Sequence, residues 1–119
     1  MSYTLVRKYQ IEAAHRLPNL PPEHKCSRLH GHSFRIQVVI EGELDPELGW
    51  VVDYAQMDEA FEPVFERLDH RYLNEIPGLE NPTSEVLAAW IWRELGARVP
   101  GLVEVRISET CQEECIFRP

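Results

Sequence analysis

One short stretch of the chain combines a thiol with two imidazoles: Cys26-Ser27-Arg28-Leu29-His30-Gly31-His32. Residues i and i+2 of a β-strand point to the same face, so a chain extended from Gly31 onward would present His30 and His32 side by side. Two neutral imidazoles on one face suit Zn²⁺, but a catalytic zinc ion usually has three protein ligands and one open position. His15, near the end of an earlier strand-like segment, is the third candidate ligand.

The surroundings of Cys26 favour a reactive thiol. Lys25 and Arg28 flank it in a polar segment, and a cationic setting beside a metal ion favours the thiolate form. Two interpretations of Cys26 follow from the residues alone. The thiol could act beside an open zinc site, or it could be a fourth ligand that closes the site and makes it structural.

The charge distribution suits a small anionic ligand better than nucleic acid. A net charge of −8 argues against a nucleic-acid partner. From residue 15 to residue 35, however, four cations accompany the single acid Glu23, a net +3, which leaves −11 for the rest of the chain. This basic segment surrounds the candidate metal site and suits a phosphate ester, although solvated loop charges are an alternative explanation.

Length and cysteine content narrow the class of protein. A chain of 119 residues fits a single domain over residues 1–119. We expect no membrane partner, because no apolar run approaches 18 residues and the N-terminus lacks the apolar segment of a signal peptide. Three cysteines are an odd number, which is typical of a reducing cytoplasm where thiols stay free.

Periodicity predicts the elements that must position these residues. Alternating apolar and polar residues predict strands at 3–13, 32–43 and 102–109, and a fourth strand ending at Ile116-Phe117. Three prolines indicate that residues 17–29 form a loop, and residues 45–49 read as a turn.

Two amphipathic segments between the second and third strands predict helices. Asp53 is a candidate N-cap for a helix over 54–68, within which Pro63 should kink or split the backbone. Its predicted apolar stripe consists of Met57, Phe61, Val64, Phe65 and Leu68. A second helix begins at residues 81–84 and ends at Gly96. The order ββααββ predicts an α+β fold, an antiparallel four-stranded sheet with two helices on one face, whose open edges favour assembly with other copies.

Five motifs, in order, resemble those of the 6-pyruvoyl-tetrahydropterin synthase family. They are Glu12-Ala13-Ala14-His15, Cys26 with His30-Gly31-His32, Leu68-Asp69-His70, Asn81-Pro82-Thr83-Ser84-Glu85, and Glu109-Thr110. The resemblance covers residues 3–118. The stretches at 12–18, 78–85 and 109–111 look closest to the bacterial branch of the family, which acts in queuosine and deazapurine biosynthesis.

The resemblance implies a tunnelling fold and a zinc enzyme acting on a dihydropterin triphosphate. His15, His30 and His32 match the zinc ligands, and the ion would act as a Lewis acid on hydroxyls of the substrate side chain. Cys26 matches the general base. Asp69 and His70 match the acid–base pair that assists it. Adjacent residues rarely bond through their side chains within a regular element, so we expect this pair at a helix end or in the following loop.

The resemblance also implies how the substrate is held. Glu109 would bind the pterin ring through two hydrogen bonds, and Thr83, Ser84 and Glu85 would complete the pocket. The residues we predict to bind the triphosphate are Arg16, Lys25 and Arg28. The family assembles as a homo-oligomer in which sheets close into a β-barrel, and we expect a hexamer, a dimer of trimers, with active sites at subunit interfaces.

Three alternatives remain open at the level of sequence. The enzyme could cleave the substrate side chain to leave a carboxy product, or eliminate triphosphate and keep a pyruvoyl side chain. The chain could also be a zinc-bound pterin-binding module without turnover. The remaining residues of interest are predicted to lie outside the site: His24 in a loop, Cys111 and Cys115 as structural or incidental thiols, and Trp90 and Trp92 in the core or an interface.

Overall fold

A computed structural model describes residues 2–119 of the chain. Its four strands form one antiparallel sheet in the order β1-β2-β3-β4. The strands are β1 (Tyr3–His15), β2 (His30–Gly42), β3 (Leu102–Ser108) and β4 (Cys115–Phe117), and the helices are α1 (Tyr54–Leu68) and α2 (Ser84–Leu95). Short 3₁₀ turns occupy Lys25–Ser27, Leu73–Glu75 and Gly96–Arg98. The predicted α+β class and ββααββ order are confirmed, and within one chain the sheet is open.

The strands β1 and β2 form a long antiparallel pair. Each has thirteen residues, paired from Tyr3 opposite Gly42 to His15 opposite His30. The pair extends two residues beyond the strand ends predicted at 13 and 32. Backbone hydrogen bonds continue to the histidines although Ala13-Ala14-His15 shows no apolar–polar alternation, and that alternation was the only signal available in the sequence.

Both helices cover one face of the sheet. Helix α1 packs on β1, and α2 packs on β3 and β4. The fully buried large side chains between these layers are Phe34, Phe61, Ile11, Ile36, Ile40, Leu68, Leu73, Leu79, Leu87, Ile91, Leu95 and Ile107. Trp90 lies in this core, as predicted, and Trp92 contacts Phe117 on β4. No helix in residues 2–119 is long and apolar enough to span a membrane.

Helix α1 has the predicted bounds but differs from the prediction at Pro63 and Phe65. Asp53 caps it by accepting a hydrogen bond from the N–H of Ala55 at 3.0 Å. Pro63 does not split it: the helix is continuous from Tyr54 to Leu68. An interior proline costs about 3 kcal/mol, and burial of each large apolar side chain contributes about 1.5–3 kcal/mol, so packing on either side of Pro63 offsets the lost hydrogen bond. Phe65, expected in the buried stripe, is 38% exposed.

A polar cluster joins α1 to β1. Arg7 and Tyr9 on β1 both donate hydrogen bonds to the carboxylate of Asp58 on α1, at 2.8 and 2.7 Å, and the Tyr9 ring stacks on Phe61. Hydrogen bonding from the Arg7 guanidinium holds the pKa of Asp58 below its usual range. Burial raises the pKa of Tyr9, and its hydrogen bond to Asp58 adds to that shift. The cluster fixes how α1 lies against the sheet.

We expect Asp58→Asn to lower the free energy of unfolding by about 0.5–1.5 kcal/mol at pH 7, a modest value because the cluster is half exposed. A carboxyl whose pKa is depressed in the folded state stabilises the fold above its unfolded pKa of about 3.9. That contribution is lost as the pH falls through the lower folded pKa. Urea unfolding at pH 7, 5 and 3 measures it, with exposed Glu59→Gln on the same helix as control. A difference between wild type and Asp58→Asn that stays unchanged at pH 3 would contradict this assignment.

Candidate active site

Three imidazoles converge where β1 ends and β2 begins. The strand register sets His15 opposite His30 and Ala13 opposite His32, so all three rings lie on one face of the sheet. Ring centroids are 4.5 Å apart for His15 and His30, 4.9 Å for His30 and His32, and 5.1 Å for His15 and His32. One ligand atom from each ring lies within 4.8 Å of the other two. The group could hold a metal ion.

Backbone carbonyls determine which nitrogen of two of these rings is available. The Nδ1 atoms of His15 and His30 lie 2.9 Å from the Pro82 carbonyl and 2.7 Å from the Arg28 carbonyl. A carbonyl only accepts, so in each ring Nδ1 carries a proton, and Nε2 is the atom with the lone pair whenever the ring is neutral. Burial, reinforced by the neighbouring imidazoles, lowers the pKa of His15 to about 4, so its ring is neutral at pH 7.

The buried Nε2 atoms test whether these residues fit zinc. Nε2 of His15 and Nε2 of His32 are buried and have no hydrogen-bond partner within residues 2–119. A buried polar atom without a partner is costly, and a metal ion would satisfy both. Neutral imidazoles with Nδ1 hydrogen-bonded to carbonyls have the usual form of histidine ligands to zinc. The donor set therefore fits a three-histidine zinc site.

Gly31 allows the two strands to approach closely between the histidines. A Cβ atom built at this position would lie 3.2 Å from the carbonyl oxygen of Ala13, a tighter contact than most side chains tolerate. Glycine avoids that contact. The His30-Gly31-His32 motif therefore combines two candidate ligands with the residue that keeps their strand against β1.

Glu109 lies beside the histidine cluster, one residue beyond the end of β3. Its Oε2 atom is 3.4 Å from Nε2 of His32, without the geometry of a hydrogen bond, and its side chain is 25% exposed. A carboxylate that is partly accessible and close to the candidate metal ligands can accept hydrogen bonds from a ligand that enters there. Its predicted role in holding a pterin ring remains a prediction.

The start of α2 is attached to the same cluster. Thr83 caps the helix, with Oγ1 accepting a hydrogen bond from the N–H of Val86 at 3.1 Å, and the adjacent Pro82 carbonyl is the partner of His15. Ser84 donates a hydrogen bond to Glu85 at 3.2 Å. The helix start that we predicted as part of a ligand pocket thus lies against the histidine cluster. The contacts of these residues with a ligand remain predictions.

Cys26 lies in the 3₁₀ turn Lys25–Ser27, within the loop that joins β1 to β2. Its carbonyl accepts a hydrogen bond from the N–H of Leu17 at 2.8 Å, so the turn sits beside the chain that leaves His15. The residue is half-buried, and its sulfur is outside the group of metal-ligand atoms. The Arg16 guanidinium donates a hydrogen bond to the Ser27 carbonyl at 3.4 Å. Lys25 and Arg28 are exposed nearby.

Asp69 and His70 form a fixed pair at the end of α1, where we expected them. Oδ2 of Asp69 accepts from Nδ1 of His70 at 2.7 Å, and Oδ1 accepts from the N–H of Glu12 at 2.9 Å. These bonds, chiefly the one from Glu12, hold the pKa of Asp69 below its usual range. His70 has a φ of +58°, which costs a residue other than glycine about 1–2 kcal/mol. Such strain is typical of functional sites.

His70 lines a shallow depression of about 540 Å³ that β1, the start of β2 and residues 70–72 form together, and His32 lines it as well. Glu12 and Ser33 line it, joined by a hydrogen bond of 2.5 Å from Ser33 to the carboxylate. Among the described residues, no hydrogen bond connects Cys26 to Asp69 or His70. One chain therefore brings together the three histidines, Glu109 and the start of α2, but does not bond the Asp69–His70 pair to Cys26.

Asn74 and His24 hold the loops around the site, although neither was predicted to contribute to it. The Asn74 amide accepts from the N–H of Arg16 at 2.9 Å and donates to the Arg16 carbonyl at 2.8 Å, which fixes the chain directly after His15. His24 accepts from the N–H of Cys26 at 3.0 Å. The Asn74 contact spans 58 residues, so no local pattern signals it. His24 lies in a loop, as predicted, but its contact with the backbone of Cys26, two residues further on, was not predicted.

Comparison with known proteins supports the resemblance seen in the motifs. Residues 4–119 match the family model described as 6-pyruvoyl tetrahydropterin synthase. The chain is 44% identical over 115 residues to a 6-carboxy-5,6,7,8-tetrahydropterin synthase of Synechocystis sp., covering 92% of this chain and 88% of the relative. It is 33% identical over 106 residues to a dihydroneopterin monophosphate aldolase of Pyrococcus furiosus, covering 89% and 86%.

A solved structure leads to the same family. The 6-pyruvoyl tetrahydropterin synthase of Caenorhabditis elegans superposes with a TM-score of 0.91 at 27% identity, covering 100% of this chain and 96% of the other. The four-stranded sheet with two helices is therefore the fold of known pterin synthases. The chain belongs to the 6-pyruvoyl tetrahydropterin synthase family.

We expect His32→Ala to weaken zinc binding by more than about 100-fold, because removing a direct ligand should exceed the 10–100-fold cost of losing an outer partner. Competition with a chromogenic chelator and metal analysis of the purified protein measure the effect. The matched control is His70→Ala, which removes an exposed imidazole outside the cluster and should retain zinc. One tightly bound equivalent of zinc in His32→Ala would overturn the three-histidine site.

Proposed function

We propose that the protein is a zinc-dependent lyase. It converts 7,8-dihydroneopterin triphosphate and water to 6-carboxy-5,6,7,8-tetrahydropterin, acetaldehyde and triphosphate, a reaction of queuosine biosynthesis. The observation that carries the proposal is the convergence of three histidines with unpartnered Nε2 atoms beside the carboxylate of Glu109. The 44% identity to a relative named as the carboxy enzyme supports this branch over the pyruvoyl one. Three free cysteines suit a cytoplasmic setting.

The histidine cluster and Glu109 would bind the two ends of the pterin substrate. Zinc bound by His15, His30 and His32 would supply Lewis-acid polarisation of the side-chain hydroxyls. Glu109 would accept two hydrogen bonds from the 2-amino-pyrimidinone edge of the ring. Because its carboxylate is only 3.4 Å from His32, the substrate would extend from Glu109 with its side chain along the cluster. Thr83, Ser84 and Glu85 would border the ring at the start of α2.

Cys26 and His70 would move the protons. The Cys26 thiolate would take a proton from a side-chain carbon of the substrate, and His70 would return one during rearrangement and cleavage. Asp69 holds the His70 proton on Nδ1, as the 2.7 Å contact indicates, so Nε2 faces outward and can accept or donate. This is the arrangement of a base oriented by a carboxylate.

The basic residues of the β1–β2 loop would bind the triphosphate before it leaves. Arg16, Lys25 and Arg28 are exposed around the Cys26 turn, and they belong to the segment with a net charge of +3. Charge-assisted hydrogen bonds from these side chains would hold an anionic leaving group. The rest of the molecule is strongly acidic, so this loop is the favourable place for a polyphosphate.

A complete site would require more than one subunit. His70 is 78% exposed, and among the described residues its side-chain hydrogen bond is to Asp69 and not to Cys26. The outer strands of the open sheet are β1 and β4, and such edges pair with other copies. We therefore propose a homo-oligomer, a dimer of trimers, whose sheets close into a barrel and whose Asp69–His70 pair serves the Cys26 of a neighbour.

We expect the zinc-loaded protein to release acetaldehyde and 6-carboxy-tetrahydropterin from 7,8-dihydroneopterin triphosphate, identified by mass spectrometry. Cys26→Ala should retain zinc and lose about 10²–10⁴-fold in kcat, the usual contribution of an acid–base group. The control is Cys111→Ala, which removes an exposed thiol outside the site.

The other outcomes of that experiment separate the alternatives. A pyruvoyl product would assign the chain to the triphosphate-elimination reaction. Cleavage of dihydroneopterin monophosphate in preference to the triphosphate would make it like the Pyrococcus relative. No turnover by folded, zinc-loaded protein would reject the lyase and leave a pterin-binding module.

Mixing two inactive variants tests the shared site. If Cys26 and His70 of one site come from different subunits, oligomers assembled from equal amounts of Cys26→Ala and His70→Ala should recover about a quarter of wild-type activity, since a quarter of the interfaces pair two intact residues. Activity is measured after co-expression and purification of mixed oligomers through two affinity tags. Mixed oligomers as inactive as the parents would mean that both residues act within one chain.

A further inference from the structure

The loop between β1 and β2 is folded around His24. Its backbone N–H donates to the Pro21 carbonyl at 2.9 Å, and its carbonyl accepts from the N–H and the hydroxyl of Ser27 at 3.0 and 2.7 Å. Its ring nitrogen Nδ1 accepts from the N–H of Cys26 at 3.0 Å. His24 thus makes four hydrogen bonds within the loop, and the fourth is to the residue proposed as the base.

Both backbone polar groups of Cys26 are engaged. The N–H is held by the His24 ring, and the carbonyl accepts from Leu17 at 2.8 Å. The 3₁₀ turn contains no buried residue, so apolar packing does not fix it and the hydrogen bonds must. These two contacts, together with the hydrogen bonds of Ser27 to Pro22 and His24, therefore fix the backbone that carries the Cys26 side chain.

The chemistry of the His24 contact is specific. A backbone N–H can only donate, so Nδ1 must carry a lone pair, and the proton of the neutral ring is on Nε2. Side-chain caps of this kind are usually serine, threonine, aspartate or asparagine. A histidine in this position performs the same function as an asparagine, whose Oδ1 occupies the place of Nδ1 relative to the backbone. A glutamine oxygen lies one bond further out and does not match.

We infer that His24 is a positioning residue for Cys26. It neither binds metal nor touches substrate, and it holds the backbone of the turn from which the Cys26 side chain projects. The inference rests on the proposed role of Cys26 as the base. Its structural part is that the His24 ring keeps the Cys26 turn closed, and this part can be tested without measuring turnover.

The test compares His24→Ala, His24→Asn and His24→Gln in the zinc-loaded protein. The first readout is the rate of alkylation of Cys26 by iodoacetamide at pH 7.5, followed by mass spectrometry of Glu-C peptides. Exposed Cys111 is the internal reference. The second readout is kcat and KM with dihydroneopterin triphosphate. Zinc content and thermal unfolding confirm that each variant is folded.

Loss of a side-chain cap should shift the equilibrium between the closed and the open Cys26 turn towards the open state by about fivefold. We expect the half-buried Cys26 of His24→Ala and His24→Gln to be alkylated at least about threefold faster than in the wild type, with Cys111 unchanged. His24→Asn should restore the wild-type rate. We expect kcat to fall about tenfold in His24→Ala and His24→Gln and to return to the wild-type value in His24→Asn. KM should change little in all three variants.

Two results would overturn the inference. One is an unchanged Cys26 alkylation rate in His24→Ala, and the other is an asparagine variant that behaves like alanine. A wild type without turnover would reject the lyase and leave the alkylation comparison valid. Normal turnover with equal alkylation rates in all variants would reject only the role of His24.

Discussion

The antiparallel register between β1 and β2 determines where chemistry can occur in this molecule. It sets His15 opposite His30 and Ala13 opposite His32, so three rings from two strands meet on one face. If the register between the strands shifted by one residue, the histidines of one strand would lie on the other face and the three rings would no longer meet. The register is secured by the buried alternation further along the same strands, where Ile11 and Phe34 face the helices. Core packing and the histidine cluster therefore depend on the same pairing.

Each helix has one end at this part of the sheet, and each of these ends contributes polar groups that contact the strands. The start of α2 supplies the Pro82 carbonyl that orients His15, and the end of α1 supplies Asp69 and His70, bonded to the backbone of Glu12. Backbone groups make most of these contacts. They tolerate sequence change well, because they depend on the position of the chain rather than on a side chain.

The site contains two features that are unfavourable for the stability of the fold. Two buried imidazole nitrogens have no partner among the described residues, and His70 adopts a backbone conformation that favours glycine. Each is unfavourable for stability, and the unpartnered nitrogens are what a metal-binding site requires. Binding a metal would satisfy the nitrogens, so metal affinity and fold stability are linked.

Much of the fold could be predicted from the sequence, because local periodicity and capping carry it. The bounds of α1, its Asp53 cap, the Thr83–Gly96 span of the second helix and the ββααββ order all follow from spacing and residue type. The candidate ligands His15, His30 and His32 could be named for the same reason, since two lie on one strand at i and i+2. Recognition of the Asp69–His70 pair and Glu109 depended on the family resemblance.

Only the tertiary structure decided what depends on distant partners. The continuity of α1 through Pro63 and the exposure of Phe65 are set by packing on neighbouring elements. The hydrogen bonds of Asn74 to Arg16 and of His15 to the Pro82 carbonyl join residues that are far apart in the chain. A sequence specifies local conformation through short-range hydrogen bonds and periodic burial, whereas such contacts exist only after the chain has folded.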